Sequence, residues 1–307
     1  MTEKTHINPV AALVVGFFPA FPVLDALLLT LLEQTGLVIF VDNGGGTDYL
    51  QAYPMEKERV AYINLGGNNG LGYALNEGFK IAVGRGFGFV ATFDQDSSPP
   101  PQMIAGLLKA HHKLQRDGVA CAAIGPRFYD SREGKRHHYP LYKQVGFRIT
   151  TVQKLDKATG LFEVDVLITS GMLVNATAWV YGITYNPGLF VDYTDTDWCF
   201  RVRAAGFKLF VSPDQEMGHA LSDAPPIRLL GLNFLCYSPI RRYYYFRNTI
   251  FFLRQSYVSW AWKWRLLIGL GVRCMSNVFI DKQKIKGLKM TLLGVIHGLL
   301  GRLGKYK

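Results

Sequence analysis

Gly88-Phe89-Val90-Ala91-Thr92-Phe93-Asp94-Gln95-Asp96-Ser97-Ser98-Pro99 is the stretch on which the reading of this 307-residue chain turns. It opens as an apolar run of strand length and stops at two carboxylates one residue apart. Ser97, Ser98 and Pro99 supply hydroxyl caps and an early proline, the start signals of a helix that continues to about Arg116. The two acids therefore stand where a strand leaves its sheet, the edge at which open α/β sheets bind ligands. Neighbouring carboxylates repel each other unless a proton or a cation intervenes. Their oxygens suit magnesium or manganese, ions that bridge substrate phosphates. The same spacing also suits a solvated turn with two ordinary surface acids, so the rest of the chain has to decide.

Upstream, Val10 to Phe18 is a continuous apolar run with the pattern of a strand buried on both faces, and Leu24 to Glu33 is helical in composition. A second strand, Leu37 to Val41, ends at Asp42-Asn43-Gly44-Gly45-Gly46; a short third, Tyr62-Ile63-Asn64, precedes Gly66 to Gly72 and a helix through Ala74, Asn76 and Phe79. Strands and helices alternating in this way predict a mostly parallel sheet wrapped by helices. The glycine loop lacks GxGxxG spacing and follows the third strand, which disfavours a dinucleotide oxidoreductase. No GxxxxGK[ST] is present, which removes the usual P-loop NTPase. Downstream, Ala122 to Pro126, Leu161 to Ser170 and Lys208 to Val211 read as strands, and Tyr129 to Arg136 as a charged loop. Asp192, Asp195 and Asp197 enter a helical stretch, and His219 follows the last strand.

An apolar share of 49% with 19% charged residues excludes general disorder. Cys121, Cys199, Cys236 and Cys274 lack zinc-like spacing and predict a reduced compartment rather than a disulfide framework. The apolar run from Pro9 to Leu24 is broken by two prolines, lacks a secretory start and is too short to span a bilayer. The net charge of +11 is uneven: residues 228–307 carry fifteen Lys and Arg against one acid, Asp281, while residues 1–227 carry nineteen against twenty-two. A basic, aromatic segment beside a near-neutral one suits an anionic surface or ligand.

In order along the chain, Val-Asp-Asn after the second strand, Asn-Asn-Gly-Leu-Gly, Phe-Asp-Gln-Asp-Ser, Thr-Ser-Gly, Asp-Tyr-Thr-Asp-Thr-Asp-Trp-Cys-Phe-Arg, a later His and Tyr-Tyr-Tyr-Phe-Arg-Asn together resemble glycosyltransferase family 2. Residues 9 to 250 carry the likeness, which is strongest to the bacterial rhamnosyltransferase branch. The resemblance implies an α/β A-type glycosyltransferase fold, Rossmann-like, with a C-terminal helical extension. It implies a catalytic domain over 1–227, with the nucleotide-sugar half to about 120 and the acceptor half over 121–227, followed by a basic tail over 228–307.

By the same resemblance Asp42 reads the nucleobase, and a carboxylate is able to accept the N3–H of thymine or uracil. Asn69 and Gly72 match the loop beside the nucleotide. Asp94 and Asp96 match the metal-binding DxD, and His219 a position that completes the coordination of a divalent metal, magnesium or manganese. Asp195 matches the catalytic base, with Asp192 and Asp197 as neighbouring competitors; Asp197 is the one expected to be structural, paired with Arg201 one turn on. Thr194 stands where the family often has Glu, Ser170-Gly171 replaces its commoner acceptor signature, and no QxxRW is present. That last absence favours transfer of one or a few sugars over processive synthesis.

Arg241, Arg242 and Arg247, interleaved with Tyr243, Tyr244 and Tyr245, suit a diphosphate or phospholipid headgroups, and Arg247 is taken as a nucleotide-sugar contact. Trp260, Trp262 and Trp264 resemble an interfacial belt. Ile285, Leu288, Leu292, Val295, Ile296 and Leu299 share one helical face, which suits an anionic membrane surface, its own domain or a second subunit of a homo-oligomer. The expectation is an inverting enzyme that takes L-rhamnose from dTDP-L-rhamnose to a lipid-linked saccharide for O-antigen or another surface polysaccharide. It would work in the cytoplasm at the inner face of the membrane, with no nucleic-acid partner. Two rivals are a haloacid-dehalogenase-type phosphatase built on Asp-Gln-Asp and a non-catalytic glycosyltransferase-like adaptor whose tail is the working part.

Overall fold

The computed structural model describes residues 9–44, 59–130, 136–219, 227–229, 232–234, 237–280 and 283–306. Gly45, Gly46, residues 131–135 of the charged loop, Cys236 and Asp281 lie outside them. In chain order the N-terminal half runs β1 (Val10–Gly16), α1 (Phe21–Gln34), β2 (Leu37–Asp42), β3 (Val60–Asn64), α2 (Leu71–Gly84), β4 (Phe89–Asp94), α3 (Met103–Arg116) and β5 (Cys121–Asp130). Then come β6 (His137–His138), β7 (Tyr142–Val145), β8 (Arg148–Thr151), β9 (Phe162–Val164), β10 (Met172–Asn175), α4 (Ala176–Val180), α5 (Thr194–Ala204) and β11 (Lys208–Gly218). A short hairpin of β12 (Ile227–Leu229) and β13 (Leu232–Phe234) leads to α6 (Pro239–Leu253), α7 (Trp260–Ile280) and α8 (Lys284–Leu299).

The central sheet has the order β3-β2-β1-β4-β10-β5-β11-β9, with β6 added on β5. β3, β2, β1 and β4 are parallel to one another, as are β5 and β11, whereas β10 runs antiparallel to both β4 and β5. Parallel strands are covered on both faces, which is why β1 and β2 read as unbroken apolar runs. Ala11 and Leu13 face one core layer with Phe79 and Trp198; Val10, Ala12 and Val14 face the other with Leu24, Leu28 and Leu107. α2 lies close against β1 through Gly78, where a Cβ would come within 2.2 Å of Leu13.

Two expectations about strands are corrected. Leu161 to Ser170 is not one strand: β9 ends at Val164, because the Asp165 carboxylate is drawn out of the sheet by Gln144 N at 2.8 Å, Trp262 Nε1 at 2.6 Å and Arg203 at 2.7 Å. The chain then crosses to β10, a central strand with no counterpart in the sequence reading. β11 continues past Val211 to Gly218, with a register irregularity between Ser212 and Glu216.

The basic C-terminal helices pack on the rest. α8 meets α6 through Gly294 and Gly298, where a Cβ would come within 2.6 Å of Tyr243 O and Arg247 O respectively. Because that small-residue face does the packing, Ile285, Leu288, Leu292, Ile296 and Leu299 are left exposed on the other side. Trp260 and Trp264 are exposed too, but Trp262 is buried on Asp165 and does not belong to an exposed belt. Among the described residues no helix is long and apolar enough to cross a membrane.

Candidate active site

The parallel strands β4 and β2 end on the same side of the sheet at Asp94 and Asp42, and the chain around them is held by short polar contacts. Asp42 is buried and fixed at both oxygens: Gly44 N donates to Oδ1 at 2.9 Å and Tyr62 OH to Oδ2 at 3.2 Å. The neighbouring Asn43 accepts from Asn69 N at 2.9 Å, while Asn69 Nδ2 donates to Leu65 O and Gly67 O, so Asn69 shapes the glycine loop. At the start of α2, Gly70 takes φ +89°, and a Cβ on Gly72 would come within 2.8 Å of Asn186 O. Both glycines let this loop press against the segment that leads into α5. Leu71 N closes the contact by donating to Phe190 O at 2.6 Å.

That segment is unusual in its backbone. Phe190, Asp192 and Tyr193 have φ of 67°, 49° and 66°. Left-handed non-glycine residues cost on the order of 1–3 kcal/mol each and persist only where their surroundings over-determine them. Here Asn248 Nδ2 donates to Leu189 O, Val191 O and Asp192 O, and Arg247 donates to Gly188 O and Leu189 O. The Arg-Asn pair of α6 therefore holds the turn that aims the first residues of α5.

Asp195 sits in the first turn of α5, where the helix dipole favours a negative charge. Thr196 N donates to its Oδ1 at 2.7 Å and Thr169 N to its Oδ2 at 3.3 Å. Burial pushes its carboxyl above the ordinary range and these hydrogen bonds pull it back. The segment that supplies Thr169 also meets the Asp94 turn, since Ser170 Oγ lies 2.6 Å from Ser97 Oγ. Asp94 lies in the field of both other acids: it is raised to about 7, first by desolvation, then by the charges of Asp96 and Asp195, with Arg241 opposing. Asp96 is exposed beside it. Asp192 bonds Arg241 Nε through Oδ1 at 3.3 Å, and its buried Oδ2 has no hydrogen-bond partner.

The other candidates fall elsewhere. Asp197 is fully buried on Arg201 Nε at 2.8 Å and on Tyr257 OH, the structural role expected of it. The expected diphosphate contact of Arg247 does not fit its placement. Arg247 is 1% exposed; its guanidinium lies over the rings of Tyr243 and Tyr244 and gives Nε to Asn248, Nη1 to Gly304 O and Nη2 to the 188–189 carbonyls. Arg241 is the tail cation whose charge reaches Asp94. His219 lies just past β11, its N–H on Tyr129 O at 3.0 Å and its ring 5.6 Å from Phe128. Among the described residues no three His, Cys, Asp or Glu side chains stand close enough together to hold a metal by themselves. Asp94 and Asp96 nevertheless fit a hard cation, because they are oxygen donors at a point where negative charge is under-compensated.

Sequence reading missed Arg273 as a member of this neighbourhood. It lies on α7, stacks on Tyr237 and Tyr245, and its charge acts on Asp192. Some eighty residues separate it from that acid, and only the packing of α7 brings them together.

Residues 13–170 match the model of "Glycosyl transferase family 2". The dTDP-rhamnosyl transferase RfbF of Shigella flexneri is 30% identical over 298 residues, covering 95% of this chain and 96% of that protein. Among solved structures, S. aureus TarS 1–349 superposes with a TM-score of 0.57 at 15% identity, over 94% of this chain and 80% of that one. The same fragment in complex with UDP-GlcNAc gives 0.58 at 14% identity, over 94% and 81%. Identities that low speak for the fold alone, an A-type glycosyltransferase fold; the family match and the long 30% alignment speak for descent. They also dispose of the phosphatase reading, which needs its paired acids on the first strand rather than the fourth. The chain belongs to glycosyltransferase family 2.

Proposed function

We propose that this protein is a metal-dependent, inverting rhamnosyltransferase that takes L-rhamnose from dTDP-L-rhamnose to a lipid-linked saccharide in the making of a surface polysaccharide. The observation that carries the reading is the meeting of the Asp94 turn with the segment that orients Asp195, through Ser97 Oγ and Ser170 Oγ at 2.6 Å and Thr169 N on the Asp195 carboxylate at 3.3 Å. An inverting transfer needs one charge centre on the leaving diphosphate and a carboxylate on the opposite face of the sugar, within reach of the acceptor hydroxyl. The long likeness to a dTDP-rhamnosyl transferase supports the choice of donor.

Asp42, fixed by Gly44 and Tyr62, keeps lone pairs free to accept the thymine N3–H. Asn69 and Gly72 hold the loop beside the nucleotide against the 186–194 segment. Asp94 and Asp96 would hold a magnesium or manganese ion, with His219 the further candidate ligand; when bound, the ion supplies Lewis-acid stabilisation of the departing diphosphate. Asp195 takes the proton of the attacking hydroxyl, and Thr169 N and Thr196 N fix its orientation while it does so. Arg241 offers a second cation close to the same place.

The exposed apolar face of α8, flanked by Lys286 and Lys289 within a strongly basic segment, supports a resting place on an anionic membrane surface. Thermal unfolding with dTDP-L-rhamnose, UDP-GlcNAc and manganese tests donor and metal together, since a ligand of the native state raises the midpoint by mass action. The reading predicts the largest shift for dTDP-L-rhamnose with manganese; a shift with UDP-GlcNAc alone would overturn the donor assignment.

A further inference from the structure

Where the basic helices meet, α6, α7 and α8 leave a groove of about 170 Å³ between them. Cys274 and Asn277 of α7 line it on one side, Ile285 and Leu288 of α8 on the other. Gly287 lies on the same wall of α8 and puts no side chain into the space. The lining is mostly apolar, because the long side chains of Arg242 and Lys284 lend their stems to it as well. An apolar cavity of about 150 Å³ stays dry and accepts a hydrocarbon guest such as benzene. The groove is therefore large enough for part of a hydrocarbon chain, and the exposed Cys274, Lys284, Ile285 and Leu288 place its mouth at the surface.

Ile285 and Leu288 belong at once to this groove and to the exposed stripe of α8 that continues through Leu292 and Ile296. A chain held in the groove would thus emerge on the apolar face. The charge around it has one sign: Arg242 and Lys284 line the groove, Lys286 and Lys289 follow on α8, and α8 carries no acid. Asn277 adds a donor, since its Nδ2 has no hydrogen-bond partner among the described residues. That charge decides between occupants. A second copy laid along this face would bring its own lysines against these with no acid of α8 to meet them, a like-charge contact that opposes association. A neutral hydrocarbon would fill the groove and leave its cations without counter-charge. An anionic amphiphile answers both features.

We propose that the groove between α7 and α8 holds one acyl chain of an anionic phospholipid, with the lipid phosphate at Lys284 and Arg242. The assignment rests on the reading of α8 as a membrane-facing helix and adds to it a site for a single lipid. Adsorption of an amphipathic helix on a bilayer scales with its apolar area and charge and needs no cavity. A cavity beside the helix selects one molecule by its chain and by its charge, and ammonium and guanidinium groups both bind phosphate oxygens.

Dihexanoyl phosphatidylglycerol, kept below its micelle concentration so that no bilayer is present, is the probe. Its binding to the full chain is followed by calorimetry and by the rate of alkylation of Cys274, read by peptide mass spectrometry. The groove predicts saturable binding of one lipid per chain and slower alkylation of Cys274. It also predicts an affinity about tenfold or more above that for dihexanoyl phosphatidylcholine or for inorganic phosphate. Lys284→Glu and Cys274→Trp should each weaken binding about tenfold or more and leave the thermal shift by dTDP as in the native chain. Both side chains are exposed, so Cys274→Trp narrows the groove without disturbing the core. Absence of binding, equal binding of phosphatidylcholine or native binding by both variants would overturn the proposal. So would a dimer in sedimentation velocity that Cys274→Trp dissolves, because the groove would then belong to a second copy. Sedimentation of the native chain with phosphatidylglycerol vesicles, without binding of the monomeric lipid, would sink the groove and spare the membrane reading. Binding of the monomeric lipid without such sedimentation would uphold the groove and strike the membrane reading.

Discussion

Replacing Asp94 by Asn should stabilise the metal-free protein at alkaline pH and do little in acid. The Asp94 carboxyl is raised from 3.8 to about 7 by desolvation and by the charges of Asp96 and Asp195. A carboxyl raised in this way binds its proton more tightly in the native state than in the unfolded chain. The stability it lends is complete below about pH 4 and is lost as pH climbs through about 7. At about 1.4 kcal/mol per pH unit the ceiling is about 4 kcal/mol. Asp94 is only half-buried, and screening by solvent cuts this to about 2 kcal/mol. With an unfolding entropy of about 2.1 cal/mol/K per residue, that is about 3 °C in the midpoint of a chain this long. Thermal unfolding in a chelating buffer should therefore show Asp94→Asn above the native protein by about 3 °C at pH 8 and by about 1 °C at pH 5. Manganese should close the gap at pH 8 by raising the native protein alone. Equal midpoints at both pH values, or a less stable variant at pH 8, would refute the claim that uncompensated negative charge gathers there.

Other outcomes follow from the same geometry. Asp96→Ala should abolish the stabilisation by manganese and transfer to acceptor while far-ultraviolet circular dichroism stays native; full activity would remove the metal from the reaction. Asp165→Ala should destabilise by about 3–5 kcal/mol in denaturant unfolding, because it strands Arg203 and Trp262 Nε1. Gly72→Ala should cost about 1–3 kcal/mol and weaken dTDP binding, since the new methyl meets the Asn186 carbonyl. A variant with Leu292→Asp and Ile296→Asp should lose sedimentation with vesicles containing phosphatidylglycerol without losing stability, both side chains being exposed; unchanged sedimentation would move the membrane contact elsewhere.

The parallel half of the sheet was legible because buried strands write continuous apolar runs: Leu37 to Val41 and Phe89 to Phe93 lie where expected. β10 was not, since four residues, Met172-Leu173-Val174-Asn175, followed directly by a helix, leave too short a pattern. The Asp195 helix start and its structural neighbour Asp197 were readable from local spacing, Asp197 and Arg201 being one turn apart. Arg247 was misplaced because an arginine among tyrosines looks alike whether it faces a phosphate or a set of buried carbonyls. The strain at Phe190, Asp192 and Tyr193 had no signal at all, as none is a glycine and the asparagine that secures them lies more than fifty residues later. In α8 the apolar stripe was legible, as a face suited to a membrane surface, to its own domain or to a second subunit, but the packing face was not: Gly294 and Gly298 carry the contact with α6 and leave the stripe outside.

The most direct measurement is the rate of transfer of labelled rhamnose from dTDP-L-rhamnose to a prenyl-diphosphate-linked saccharide by the native chain and by Asp195→Asn. A carboxylate acting as general base predicts a fall of about 10²–10⁴-fold in kcat, with the thermal shift by dTDP-L-rhamnose and manganese unchanged. Transfer by Asp195→Asn at the native rate would contradict the placement of the base at the start of α5.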